Sequence, residues 1–266
     1  MKIAIYIYDF LHILKINISI FIINILSKIK KNSSVIKNLK FIFLSFKEKG
    51  YCNFKNFFTL NEIKYMQSLL LKDTISYTQS VNKGINLEIK EGMMKVKAIE
   101  NFKPEIKKFL NTFEFFLISI FFYFKLKRCL GILSLSQSED NQIPGLKGKC
   151  AEPIANTPHV DSFRPYLKGI IFLEDVNIDN GPTAIFPKSV SREFINGYVN
   201  LHKNKKTHFS YENIYAFLNE NQKKLIKSKA HTLVGKKGDL ILFDSRDIHW
   251  ATDLKSGSRK VLHLYF

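Results

Sequence analysis

The hydrophobic pattern of this chain changes from a helical to a strand-like period near Gly131, and this change restricts the possible folds most. Segments before Gly131 repeat apolar residues every three or four positions, whereas residues 132–137 alternate with period two. Short strands are predicted at 131–138, 157–161, 166–176, 182–187, 231–235, 239–243 and 259–266. A helical first part followed by many short strands predicts an α+β chain: a double-stranded β-helix, that is, a cupin-like jelly roll, with N-terminal and supporting helices.

Residues 1–31 differ from the rest and predict an amphipathic helix. The apolar positions at helical spacing are Ile3, Ile7, Phe10, Leu14, Ile18, Phe21 and Ile25, and the opposite side carries Asp9, His12, Lys15, Ser19 and Ser27. The charge-free run 16–27 is shorter than the ~20 residues that span a bilayer. We therefore expect the helix either to pack on the domain or to lie in a membrane interface, with Lys28, Lys30 and Lys31 at the lipid phosphates.

The segment that follows predicts a short strand and two helices. Residues 50–54 have the pattern of a strand, and Thr59-Leu60-Asn61-Glu62 has the form of a capping box that starts a helix ending near Leu71. Residues 104–127 carry apolar side chains almost all round at helical spacing. Such a helix is usually buried against a sheet.

The chain is long enough to bury a full core, and we divide it into two parts. Residues 1–45 form a hydrophobic, basic-ended helical appendage, and residues 46–266 form the main domain. Within the domain, residues 191–228 are a polar, Lys-rich and partly helical insertion between strands.

The charge balance is strongly basic, with 41 Lys and Arg against 23 Asp and Glu and a net charge of +18. This excess favours anionic partners such as phosphorylated substrates, nucleic acid or a membrane surface. The alternative is an AT-rich coding sequence, since Ile, Asn and Phe are abundant alongside Lys. No arginine-rich stripe or nucleic-acid motif is present, so we expect no specific nucleic-acid partner.

The cysteines exclude two structural classes. Cys52, Cys129 and Cys150 are odd in number and lack C-x-x-C spacing, so neither a disulfide framework nor a zinc ribbon is indicated. We expect a cytoplasmic protein, with peripheral membrane contact through residues 1–31 as the open alternative.

The pair His159-Val160-Asp161 and the distant His249 form a candidate metal site. Side chains two apart in a strand share a face, so His159 and Asp161 would point together while Val160 points away. Two imidazoles and one carboxylate are the ligand set of non-heme iron(II) oxygenases. A lone H-x-D pair more often serves a turn or an ion pair, but His249 follows an apolar strand, 239–243, that would lead to a barrel mouth.

Arg259 opens the next predicted strand, ten residues after His249. A guanidinium there can donate two parallel hydrogen bonds to a carboxylate, as a buried dicarboxylate cosubstrate requires. The combination predicts a site that holds a metal and a dicarboxylate side by side.

On these residues the chain resembles the phytanoyl-CoA dioxygenase family of iron(II)/2-oxoglutarate oxygenases, over roughly residues 46–266. The motifs that carry the resemblance are 157–161 (Thr-Pro-His-Val-Asp), 172–176 running into 179–182 (Asp-Asn-Gly-Pro), and 238–245 through His249 to Arg259. One departure is visible, because Pro187-Lys188-Ser189-Val190 stands where the family usually has Pro-Gly-Ser-His.

The resemblance implies that His159, Asp161 and His249 bind Fe(II) and act in catalysis, and that Arg259 binds 2-oxoglutarate. With O2 as second cosubstrate and ascorbate as an in vitro additive, the expected reaction is hydroxylation of a small molecule, coupled to oxidative decarboxylation of 2-oxoglutarate to succinate. Related iron halogenases replace the carboxylate ligand with a small residue, so Asp161 argues against halogenation. The substrate itself is not specified, although the charge favours an anionic one.

Two alternatives remain open at this stage. The first is a cupin-like jelly-roll binding protein without oxygenase activity, and the second is a protein side-chain hydroxylase, although those typically place Lys where Arg259 stands.

Several other polar residues receive structural interpretations. We expect Arg164 and Lys168 to be exposed strand residues rather than substrate contacts, and His231 and His263 to be satisfied core imidazoles rather than partners of the metal ligands. We expect Asp244 and Asp247 to serve the turn before His249 more than to orient it. Trp250 either lines the pocket or fills core volume.

Overall fold

The computed structural model describes residues 2–30, 33–72, 87–90, 92–125, 129–138, 143, 146, 156–161, 166–188, 194, 196–197 and 214–266. The predictions for Lys31, Cys150 and Arg164, and for most of the insertion before residue 214, lie outside these residues.

The described strands form two antiparallel sheets. The larger has the order β1-β8-β5-β10-β4-β3-β2 and the smaller the order β7-β6-β9. Their bounds are β1 Tyr51–Phe54, β2 Leu87–Lys90, β3 Met93–Lys97, β4 Leu130–Gln137, β5 Leu167–Phe172, β6 Thr183–Phe186, β7 His231–Leu233, β8 Leu240–Asp244, β9 Ile248–Ala251 and β10 Ser258–Tyr265. The predicted α+β jelly-roll fold is confirmed.

Both faces of the large sheet are buried, and the period-two alternation separates two apolar cores. On β10, Leu262 and Leu264 face the helices, whereas Val261 faces the small sheet. On β8, Leu242 and Phe243 divide between the same two cores. The space between the sheets is the interior of the barrel, and the inward-facing side chains of β4, β5 and β10 reach it.

The described helices before residue 130 cover the outer face of the large sheet, and the helical segments after residue 213 pack in a separate cluster with Val160 and Ile248. The helices are α1 Lys2–Ile29, α2 Ser34–Lys49, α3 Leu60–Leu70, α4 Lys107–Leu110, α5 Phe113–Tyr123 and α6 Glu220–Lys229, with 3-10 turns at Ile99–Asn101, Pro104–Ile106 and Ile214–Phe217. The predicted capping box at Thr59 and Glu62 is present. The predicted appendage boundary at residue 45 lies inside α2, and the domain division stays a prediction.

The single helix predicted over residues 104–127 is wrong, because the chain breaks between α4 and α5. Thr112 is extended there, with φ −65° and ψ 155°, and its hydroxyl accepts a hydrogen bond from the Phe115 amide. A threonine that caps a new helix therefore interrupts an apolar pattern that would otherwise continue.

Strand prediction failed where charged residues face the interior or where pairing is short. Strands β2 and β3 were not predicted, and Lys95 and Lys97 of β3 hide the alternation of that strand. Strand β9 holds only four residues. Residues 157–161 form a single bridge between His159 and His249 instead of a full strand.

Helix α1 packs on the domain through the face that the sequence marked as polar. His12, Ile16, Ser19 and Ile23 are buried. The Ser19 hydroxyl donates to the Phe121 carbonyl at 2.6 Å. Polar groups therefore hold this helix against α5, and the predicted apolar stripe is turned outward.

Two further polar contacts fix the N-terminal half of α1. His12 Nε2 lies 3.4 Å from Asp244 Oδ2, and Asp9 Oδ1 lies 3.7 Å from a guanidinium nitrogen of Arg246. Burial lowers the pKa of His12 to about 4, so its imidazole is neutral at physiological pH. Both contacts end on the turn that leads from β8 to β9, next to the candidate site.

Candidate active site

The barrel interior brings together the three predicted metal ligands. His159 pairs with His249 through two backbone hydrogen bonds, from His159 N to His249 O at 3.0 Å and from His249 N to His159 O at 2.9 Å. The Asp161 amide donates to the Ser245 carbonyl at 3.1 Å. The H-x-D segment is therefore fastened to β9 and to the turn before it. Val160 points away into a separate apolar cluster, as the alternation predicts.

The distances between the ligand atoms suit one metal ion. Asp161 Oδ1 lies 3.5 Å from His159 Nε2, and Asp161 Oδ2 lies 3.5 Å from His249 Nε2. All three ligand atoms lie within 4.8 Å of one another. Donors about 2.1 Å from one ion at right angles are roughly 3 Å apart, so a small contraction completes the site. Nitrogen and carboxylate donors in this ratio fit iron(II).

Both imidazoles are oriented in the same way by the backbone. His159 Nδ1 lies 2.8 Å from the Thr157 carbonyl, and His249 Nδ1 lies 2.7 Å from the Asp247 carbonyl. A carbonyl has no proton to give, so each Nδ1 is the donor and each Nε2 keeps its lone pair. This tautomer is the one that a metal ligand needs.

The protonation states also fit metal binding. Burial opposes ionisation of Asp161, but the Lys168 ammonium and the adjacent histidines outweigh it and hold the pKa of this carboxyl well below its usual range. Burial, reinforced by Lys168, lowers the pKa of His249 to about 4. At neutral pH the site therefore presents a carboxylate and a neutral imidazole, as metal coordination requires.

Lys168 was interpreted from the sequence as an exposed strand residue, and that interpretation is wrong. It is 6% exposed, and its Nζ donates to Asp161 Oδ2 at 2.7 Å and lies 3.2 Å from His249 Nε2. Position 168 shares the inward face of β5 with Ile170 and Phe172, but both faces of this strand are buried, so alternation alone does not show which face points inward. The ammonium neutralises the carboxylate, and a metal that takes all three ligands must displace it.

Replacing Lys168 with methionine should therefore strengthen metal binding. A unit charge about 4 Å from another is worth about 4 kcal/mol at an effective dielectric constant of 20, so a gain of at least tenfold in Co(II) affinity is a conservative expectation. Anaerobic titration followed by visible absorption, without cosubstrate, measures it. Lys97→Met is the matched control, because Lys97 lines the same cavity. Equal or weaker binding by Lys168→Met would show that the ammonium does not compete with the metal.

Arg259 lies in the same cavity as the ligands and is oriented by a glycine turn. Its guanidinium donates to the Gly181 carbonyl. Gly181 has φ 66°, and a Cβ there would lie 3.0 Å from the Thr252 carbonyl, so only glycine fits without strain. The predicted Asn180-Gly181 turn thus positions the carbonyl that directs Arg259.

The cavity is lined by further polar groups that the sequence analysis did not assign to the site. Ser134 is fully buried on the inward face of β4, and among the described residues its hydroxyl has no hydrogen-bond partner. His263, predicted to be a satisfied core imidazole, lines the same cavity, and the prediction is wrong in that its Nδ1 likewise lacks such a partner there. Lys95 adds a buried cation. A dianionic cosubstrate held by Arg259 and Ser134 fits these groups. The alternation around Ser134 was visible in the sequence, but its inward direction was not.

The remaining predictions have mixed outcomes. Trp250 lines the cavity beside His249. Asp244 serves the turn, accepting from the backbone and guanidinium of Arg246, whereas the Asp247 backbone, not its side chain, orients His249. The core assignment of His231 is wrong, since this residue is exposed at the end of β7 beside the Tyr51 hydroxyl. Strand β7 is short and lies at the edge of the smaller sheet. The apolar residues next to His231 in the sequence did not indicate this exposed position.

Comparison with known proteins shows a family to which this part of the chain is similar. Residues 152–261 match the family model described as phytanoyl-CoA dioxygenase (PhyH). No curated protein matches the chain in sequence.

Solved structures share the fold at low identity. The carbocyclase SnoK from nogalamycin biosynthesis is 14% identical with a TM-score of 0.58, over 88% of this chain and 84% of that one. EctD from S. alaskensis, solved with 2-oxoglutarate and 5-hydroxyectoine, is 14% identical with a TM-score of 0.59, over 84% and 73%. The epimerase SnoN, solved with Fe3+, alpha-ketoglutarate and nogalamycin RO, is 12% identical with a TM-score of 0.54, over 84% and 80%.

The family's usual turn glycine is replaced here by Lys188, which nevertheless keeps a left-handed backbone with φ 56°. Its ammonium donates to the Lys47 and Glu48 carbonyls at the end of α2, at 2.9 and 2.8 Å. The substitution therefore adds a cap to a neighbouring helix without touching the ligands. Residues 152–261, which contain His159, Asp161 and His249, are thus similar to the phytanoyl-CoA dioxygenase family, and the fold is shared with solved 2-oxoglutarate-dependent enzymes.

Proposed function

We propose that this chain hydroxylates a small-molecule substrate and converts 2-oxoglutarate to succinate in the same reaction. The observation that carries the proposal is the convergence of His159, Asp161 and His249 within 4.8 Å, beside a cavity that also holds Arg259. A complete ligand set together with the cosubstrate arginine argues against an inactive binding protein.

Each residue has a defined task in this reaction. His159, Asp161 and His249 would hold iron(II), which when bound supplies the activation of dioxygen. The carbonyls of Thr157 and Asp247 keep both Nε2 atoms free of protons. Arg259 would bind the distal carboxylate of 2-oxoglutarate as a charge-assisted pair, and the buried Ser134 hydroxyl would donate a further hydrogen bond.

The apolar wall excludes water from the reacting atoms. Phe243 packs edge-on against the His249 ring, with centroids 5.1 Å apart, and Ile170 lies beside it in the core between the sheets. A dry wall strengthens the electrostatic contacts within the site and protects reactive species from side reactions.

A small and anionic substrate is the class we favour. SnoN was solved with nogalamycin RO bound. HygX from Streptomyces hygroscopicus, a protein of similar fold, was solved with hygromycin B bound, and both ligands are small molecules. In this chain Lys95, Lys97 and Arg259 line the cavity, and this concentration of basic side chains favours an anionic substrate. A protein side-chain hydroxylase is the weaker alternative, since Arg stands where those enzymes typically carry Lys.

Succinate formation tests the proposal. The purified chain, supplied with iron(II), 2-oxoglutarate, ascorbate and air, should form succinate slowly without substrate, and a chelator should abolish this turnover. Binding of 2-oxoglutarate to the metal-loaded protein should raise its melting temperature, because a ligand that binds only the native state stabilises it. If no iron binds and no uncoupled turnover occurs, the oxygenase proposal is wrong.

A further inference from the structure

The outer face of α1 is an exposed apolar surface. Phe10 and Phe21 are each 65% exposed and Ile7 is 51% exposed. The other exposed large apolar side chains of this helix are Tyr6, Tyr8, Leu11, Ile13, Leu14, Ile18, Ile22, Ile25 and Ile29. Contiguous apolar patches of this extent on a folded protein mark a binding surface.

The apolar face of α1 points outward because the opposite face of the helix is held against the domain by specific contacts. Asp9 and His12 are held by the Arg246 and Asp244 side chains, and Ser19 is held by the Phe121 carbonyl. These contacts span the N-terminal two thirds of the helix and oppose its rotation. The apolar stripe cannot turn inward without leaving Asp244 and Arg246 buried with fewer partners.

Exposed lysines lie at the end of the apolar face and on the neighbouring helix α2. Lys28 and Lys30 follow the last apolar turn of α1, and Lys37 and Lys40 are exposed on α2, which packs against it. An apolar helix face with lysines beside it is complementary to an anionic lipid surface, where each nearby lysine adds about 1 kcal/mol of attraction in membrane systems. The net charge of +18 acts in the same direction.

We propose that the outer face of α1 docks this protein on an anionic lipid bilayer, with the helix lying in the interface and the domain in water. A second copy of the chain is a poorer occupant, because two chains of net charge +18 repel each other.

A membrane-spanning α1 is also disfavoured. By length and composition alone Tyr6–Ile29 could cross a membrane. Spanning would, however, separate Asp9 and His12 from Arg246 and Asp244 and place these two residues and Lys15 in hydrocarbon, which is costly.

Vesicle flotation with the full chain tests the proposal. Vesicles of phosphatidylcholine with about one third phosphatidylserine should bind the protein at least tenfold more tightly than pure phosphatidylcholine, and 0.5 M salt should weaken this binding. Phe10→Gln/Phe21→Gln should reduce binding at least tenfold, because two largely exposed rings no longer enter the interface. Lys28→Glu/Lys30→Glu should remove the preference for the anionic lipid.

The matched control places the same chemical change elsewhere. Leu60 and Ile178 are 55% and 56% exposed outside α1, so Leu60→Gln/Ile178→Gln should bind vesicles like the parent. Circular dichroism checks that each variant is folded. Equal binding to neutral vesicles, resistance to carbonate extraction, or dimerisation without vesicle binding in ultracentrifugation would each overturn the proposal.

Discussion

Replacing any one of His159, Asp161 and His249 with alanine should abolish iron binding and lower succinate formation at least 100-fold. Loss of a residue that merely supports a metal ligand costs 10–100-fold in affinity or activity, so loss of a ligand itself costs more. Two donors alone hold iron(II) too weakly for detection, and the Lys168 ammonium then meets less competition for Asp161 or His249. Calorimetric titration with iron(II) under anaerobic conditions measures the first effect, and the succinate assay measures the second.

His231→Ala is the matched control for the two histidine variants. It removes an imidazole from an exposed position on a strand of the smaller sheet and should leave iron binding and turnover unchanged. Asp161→Glu provides a second comparison, since it keeps the carboxylate but moves it by one methylene and should retain partial metal affinity. Unchanged iron binding by Asp161→Ala would show that the metal binds at another site.

The candidate ligands were predictable because their geometry is local. His159 and Asp161 share a face through strand alternation alone. His249 follows a strongly apolar strand by a few residues. The contact between Lys168 and the ligands was missed because it depends on which face of β5 points inward, and buried strands with two apolar faces do not reveal that face in their sequence.

The fold was predictable to a similar degree, and α1 shows which feature of the fold could not be predicted from the sequence. Helical spacing identified the helix, but its apolar stripe was read as the face that meets the protein or the membrane, without distinguishing the two. The structure buries Ser19 and His12 because the domain supplies partners for them, namely the Phe121 carbonyl and the Asp244 carboxylate. Such partners are distant in sequence, so periodicity alone cannot anticipate them.

Arg259→Met should weaken 2-oxoglutarate binding by about 100-fold while leaving iron binding intact. Truncating one partner of a buried, hydrogen-bonded charge pair costs about 2–5 kcal/mol, and about 3 kcal/mol corresponds to roughly 100-fold. Arg259 is 6% exposed, so water cannot replace the lost contact. Arg259→Lys keeps the charge but not the two-pronged geometry, and its loss should be intermediate. The KM for 2-oxoglutarate, and its affinity for the nickel-loaded protein by calorimetry, measure these effects.

Lys260→Met is the control that separates cosubstrate binding from strand stability. Lys260 is the next residue of β10, and its ammonium lies 2.9 Å from Glu174 Oε2. Its removal takes one positive charge from the same strand and should change the KM for 2-oxoglutarate by less than about threefold, because a partly exposed ion pair contributes little. An unchanged KM in Arg259→Met would remove the cosubstrate role of this residue. The buried cations Lys95 and Lys168 would then be the groups left in the cavity to hold the distal carboxylate.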